Sequence, residues 1–135
     1  MTANRGVIHS GMPEQEDGVM EGFQLWLNLP AKSKMIHAWY RDIPKTDIPE
    51  YVTPEGVTVK VIAGMSNGIA GAMTSEETEP LYLYVDFPGD SLFSTTLPET
   101  HNAFVYVYRD ELTIDDRLLG DTAWLFLPAP LALMG

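Results

Sequence analysis

The sequence predicts an all-β fold, and three observations carry that prediction. Short apolar runs recur in which every second residue is apolar, a period that places one set of side chains on one face of a strand. The 11 glycines and 10 prolines punctuate these runs at regular intervals, which is the rhythm of a sandwich or barrel. A chain of 135 residues with a hydrophobic fraction of 45% has the size of one compact domain and enough apolar material for a core.

Taken in order, the first run is Gly6–His9, closed by Gly11 and Pro13. The acidic stretch Glu14–Glu21 reads as a solvated loop. In Gly22–Leu29, Phe23, Leu25, Leu27 and Leu29 alternate with Gln24, Trp26 and Asn28, the pattern of a half-buried strand ended by Pro30. Between Pro30 and Pro54 the alternation stops. That stretch reads as an extended connector, with one short helical turn near Thr46–Ile48. Strand signals resume at Val57–Ala63, where three valines alternate with Thr58, Lys60 and Ile62. A loop of small residues, Gly64–Gly71, follows. Leu81–Phe87 is a dense β-forming run, Pro88-Gly89-Asp90 a turn, and Ser91–Leu97 an alternating strand. Ala103–Tyr108 is the strongest strand signal, and Glu111–Ile114 is expected to pair back onto it as a hairpin.

Charge and composition exclude several classes of function. There are 19 acidic against 8 basic residues, a formal net charge of −11. Such a surface repels phosphate backbones and anionic lipid, so neither direct nucleic-acid binding nor a membrane partner is expected. With no cysteine, disulfides, thiolate catalysis and cysteine-ligated zinc are out of reach. The N-terminal residues lack the apolar run of a signal peptide, and Ala123–Met134, the most apolar stretch, is interrupted by Pro128 and Pro130. A cytoplasmic location is the expectation.

Four segments carry a resemblance. Asn4–Glu14 reads NRGVIHSGMPE and Gly22–Lys32 reads GFQLWLNLPAK. Gly56–Val59 leads to Ile62–Gly64, and Leu97–Val107 reads LPETHNAFVYV. Together they resemble the central section of a pirin, with gaps, from about Asn4 to Ile114. The resemblance implies a cupin-type β-barrel fold: pirins are bicupins, two barrels in one chain, with one metal, usually iron, in the first. It divides the chain into the terminal strands of the first barrel (1–31), a connector (32–55) and an incomplete second barrel (56–135). It implies two kinds of activity, quercetin 2,3-dioxygenation or non-enzymatic binding of a protein partner as a co-regulator.

The implied iron ligands are two histidines of an H-x-H-R-G-F-E segment and the His and Glu of a later R-G-x-x-H-x-E segment. Arg5-Gly6-Val7-Ile8-His9 matches the later segment, but Gly11 stands where the Glu is expected, and the earlier segment is absent. His9 is therefore the single candidate metal ligand. Residues i and i+2 of a strand share a face, so a His-x-Glu pair could reach one cation, whereas one imidazole cannot hold iron tightly. The expectation is that iron is the family's cofactor and is not retained by this chain, which reads as truncated and inactive.

Other candidates carry less. Glu14, five residues on from His9, reads as an exposed loop acid. His37 lies in the connector where nothing converges, and His101 reads as a turn residue before a strand. Trp26, Tyr82, Tyr84, Phe104, Tyr106 and Tyr108 could line a flavonol pocket but read as core. Thr100-His101-Asn102 is no catalytic triad, and Gly64–Gly71 is no phosphate cradle. The expected partners are a flavonol-like small molecule if the chain is active, and otherwise a protein partner or a second copy, because incomplete barrels leave open strand edges.

Overall fold

The computed structural model describes residues 1–11, 17–75 and 77–127. Within them the chain is all-β, its only helical elements being two single 3-10 turns, Ala31–Ser33 and Lys45–Asp47. No helix among the described residues is long and apolar enough to cross a membrane.

Among the described residues, nine strands form four small antiparallel sheets. β1 (Glu50–Val52), β2 (Thr58–Ala63) and β5 (Tyr82–Asp86) make the largest, with β2 in the centre. Its register pairs Val59 with Tyr51 on one side and with Val85 on the other. The alternation read from the sequence is real here: Val57, Val59 and Val61 are fully buried, whereas Thr58, Lys60 and Ile62 are half-buried. Val107, Ile114 and Leu127 add the remaining large buried side chains, so the core is built from small branched residues of several strands.

β3 (Met65–Ser66) and β4 (Ile69–Ala70) form a tight hairpin inside the stretch expected to be a loop. Asn67 and Gly68 sit between them at φ 50° and 74°, the left-handed pair that a two-residue hairpin turn demands. The Asn-Gly signal was legible, although the run of small residues masked it. β7 (Leu112–Ile114) and β8 (Arg117–Leu119) form a second hairpin across Asp115 and Asp116, both at positive φ. The expectation that Glu111–Ile114 folds back onto Ala103–Tyr108 is thereby corrected. β6 (Ala103–Val107) pairs instead with β9 (Ala123–Leu127), the first part of the apolar C-terminal stretch. The turn after Ile114 captures β7 locally and leaves β6 for a more distant partner.

Three further expectations fail on ladder hydrogen bonds. Gly6–His9, Gly22–Leu29 and Ser91–Leu97 form no named strands. Ser91–Leu97 still alternates between half-buried and exposed positions, so its period was read correctly while its pairing was not. In Gly22–Leu29 even burial is missing: Phe23, Leu25 and Leu27 are 51%, 49% and 55% exposed. An alternating pattern predicts a strand only where a neighbour supplies backbone partners, and none of the described residues does so here. Conversely, β1 lies inside the expected connector, where flanking prolines concealed it. The helical turn expected at Thr46–Ile48 is present one residue earlier.

Candidate metal centre

His9 lies in the irregular N-terminal section, on the exposed surface. Its ring leans on Tyr40, with centroids 6.2 Å apart and planes inclined by 42°. Tyr40 in turn donates a hydrogen bond to Asp42. That bond and the carboxylate's charge raise the phenol pKa above its ordinary value. This section is tied to the following one by backbone bonds between Thr2 and Trp39, at 2.8 and 3.0 Å, and by Asn4 Nδ2 donating to the carbonyl of His37 at 2.6 Å.

The position two residues beyond His9 is where a second ligand is expected. A Cβ built on Gly11 would lie 3.9 Å from His9 Nε2, an ordinary van der Waals distance. A side chain at position 11 would start beside the imidazole, although this stretch forms no strand to set the two on one face. Glu14, the other carboxylate considered, lies outside the described residues. Among the described residues no three of His, Asp and Glu gather closely enough to hold a metal ion. His9 therefore belongs to no metal-holding group among the described residues.

The other two histidines make structural contacts, His37 through its ring and His101 through its backbone. His37 is exposed, but the expectation that nothing converges on it is corrected: Arg5 Nη2 stands 3.0 Å from its Nδ1 and 3.2 Å from its Nε2. Only an unprotonated ring nitrogen can accept from a guanidinium, so this contact consumes the lone pair a metal would need. His101 is a turn residue, its backbone N–H bonded to the Pro98 carbonyl at 2.9 Å.

The aromatic residues read as core divide into two groups. Tyr84 and Tyr108 are half-buried and linked by a hydrogen bond in which the Tyr108 hydroxyl donates to Tyr84 at 2.9 Å. That bond, with burial second, pushes the Tyr108 phenol up to about 12. Phe104 and Trp26 are 43% and 84% exposed, which corrects their assignment to the core. The larger concavity, about 480 Å³, is lined instead by hydroxyl-bearing and amide side chains such as Tyr51, Thr53, Ser66, Asn67 and Thr95, with Phe93. Tyr51 and Ser66 share a hydrogen bond of 2.8 Å at its edge. A smaller cavity, about 260 Å³, opens between Thr2, Leu29, Ile36, Trp39 and Thr74. Neither cavity is lined by His9.

Fold and residues define an all-β protein of the cupin type. Comparison with known proteins gives the family. The chain is 47% identical over 119 residues to a Pseudomonas aeruginosa protein named "Putative quercetin 2,3-dioxygenase", covering 85% of this chain and 42% of that one. It is 37% identical over 128 residues to a pirin-like protein of Caulobacter vibrioides, covering 94% and 46%. It is 42% identical over 107 residues to Pirin-1 of Arabidopsis thaliana, covering 79% and 36%. This chain belongs to the pirin family. It spans less than half the length of these curated relatives. No family model matches it. No solved structure matches either.

Proposed function

We propose that this chain carries one position, His9, of a pirin-type metal site for flavonol dioxygenation, and that by itself it does not hold the metal. The activity is inferred from relatives of Pseudomonas aeruginosa and Vibrio cholerae whose names give quercetin 2,3-dioxygenase. Iron is the metal implied, and when bound it would supply the redox centre that brings flavonol and O₂ together. What this chain's own described residues supply is an exposed imidazole propped on Tyr40 and, two residues later, a glycine that brings no ligand to Nε2. That gap carries the reading. Affinity for a transition metal comes from several ligands held in fixed geometry, and one imidazole leaves the remaining positions to water.

The test is metal retention. The purified chain, loaded anaerobically with ferrous iron and washed with chelator, is expected to keep far less than one iron per chain. Gly11→Glu is expected to bind ferrous iron or nickel roughly tenfold more tightly or better, because it adds a carboxylate at the Nε2 side. His9→Ala in that background should remove the gain. Stoichiometric, chelator-resistant iron in the unaltered chain, with O₂ consumed on adding quercetin, would overturn the proposal.

A further inference from the structure

Asn67 and Gly68 form the two-residue turn at the tip of the β3–β4 hairpin, and both are exposed. Asparagine followed by glycine is the pair most open to attack by the backbone on the side chain. A bond from the Gly68 nitrogen to Asn67 Cγ closes a five-membered ring, and glycine brings no side chain to crowd that approach. The space around Gly68 is open as well, with nothing within 4 Å of where a Cβ would stand. The chain's other asparagines, Asn4, Asn28 and Asn102, are followed by Arg5, Leu29 and Ala103, whose side chains shield the nitrogen.

The hairpin decides how such a reaction starts. Asn67 and Gly68 hold left-handed φ values of 50° and 74°. Closing the ring swings the Gly68 nitrogen onto the Asn67 side chain and out of that turn, so the tip must open first. The tip is weakly held: β3 and β4 pair only Met65 with Ala70 and Ser66 with Ile69, and Ser66 adds one hydroxyl bond to Tyr51 at 2.8 Å. The base is pinned more firmly. The Gly71 N–H donates to the Gly64 carbonyl at 2.7 Å, and the Ala72 N–H to the Val61 carbonyl at 3.3 Å. Opening of the tip therefore leaves β2 and its sheet folded.

We propose that Asn67 is a site of spontaneous deamidation in the folded chain, and that its isoaspartyl product undoes the hairpin. The Gly68 nitrogen gives its proton to hydroxide and bonds to Asn67 Cγ. The Cγ–Nδ2 bond breaks, and ammonia leaves with a proton taken from water. One water then opens the succinimide. Attack at Cγ gives aspartate, whereas attack at the backbone carbonyl gives isoaspartate, in which the chain runs through the former side chain. The sum is amide plus water to carboxylate plus ammonium, with no oxidation or reduction. Isoaspartate lengthens the turn by one backbone carbon, so Ser66 and Ile69 lose the register that a two-residue turn fixes. Either product sets a new carboxylate on the lining of the larger concavity, beside Ser66 and in company with Glu55.

Incubating the full chain at physiological temperature and mildly alkaline pH, then mapping its peptides by a fragmentation method that separates isoaspartate from aspartate, tests this. Asn67 is expected to convert at least about tenfold faster than Asn4, Asn28 or Asn102, and faster as pH rises, because only its neighbouring nitrogen is unshielded. The isoaspartyl fraction, separated by ion exchange, should melt at a lower temperature than the unaltered chain. Asn67→Asp keeps the ordinary backbone and carries the same charge, and it should melt with the unaltered chain. Conversion of another asparagine first, or an Asn67 amide lost in urea but retained in the native chain, would overturn the site. An isoaspartyl fraction that melts with the unaltered chain would overturn the loss of the hairpin. Metal retention enters none of these readings, so this proposal and the one on His9 fail independently.

Discussion

The hydroxyl of Tyr108 donates to the hydroxyl of Tyr84 at 2.9 Å, joining the strand after the central one in the largest sheet to the end of β6. Phe23 stacks edge-on against the same Tyr108 ring, at 5.0 Å, and Arg109 lies over it at 5.3 Å. One tyrosine thus touches the N-terminal section, the three-stranded sheet and the β6–β9 pair.

A pH dependence follows from that bond. Tyr108 ionises only at about 12, because its proton is held by Tyr84 and its ring is partly covered. The folded state therefore keeps a proton that the unfolded chain releases near pH ~10. By linkage, the stabilisation is whole below that pH and is lost as pH rises from ~10 towards 12. Spectrophotometric titration at the phenolate band should show two tyrosines ionising above the ordinary value in the native chain, Tyr40 and Tyr108, the step at about 12 being that of Tyr108. Tyr84→Phe should move that step down toward the ordinary value, and Tyr108→Phe should remove it. A step at about 12 that persists in Tyr108→Phe would assign it to another residue.

The centre of β2 should be the most sensitive place in the fold. Val59 is completely buried and is flanked by Tyr51 and Val85 on the neighbouring strands. Val59→Ala is expected to cost about 2 kcal/mol, the sum of lost burial and the cavity left behind. Val52, 63% exposed on β1, serves as the contrast, and Val52→Ala should change stability only slightly. Urea unfolding of both variants checks this; equal losses would mean that the core lies elsewhere.

Gly64 has a separate, backbone reason to be glycine. It sits at φ +81°, and a Cβ there would come within 2.4 Å of the Pro80 carbonyl oxygen, a backbone atom that cannot swing away. Its own amide and carbonyl are engaged by Met73 and Gly71, at 3.0 and 2.7 Å. Gly64→Ala is expected to destabilise by at least about 2 kcal/mol through combined strain and overlap. Gly68, also at positive φ but with nothing within 4 Å, should cost less on the same change. Thermal denaturation of the two variants ranks them.

Much of this was legible in the residues themselves. The valine alternation of β2 and the dense runs that became β5 and β6 named the strands and the buried face, because a period of two is a local property of the chain. The family was legible in the run Gly22–Lys32 and in Arg5–His9. Pairing was not legible. Nothing local in Leu112–Ile114 says that the two aspartates after it close a hairpin on Arg117–Leu119 and so give β6 to Ala123–Leu127. Likewise, Phe23, Leu25 and Leu27 have the pattern of a buried strand and remain exposed. Sequence sets which face of a segment is apolar. Only the tertiary structure decides whether another segment arrives to cover it, because burial and ladder bonds belong to pairs of segments distant along the chain.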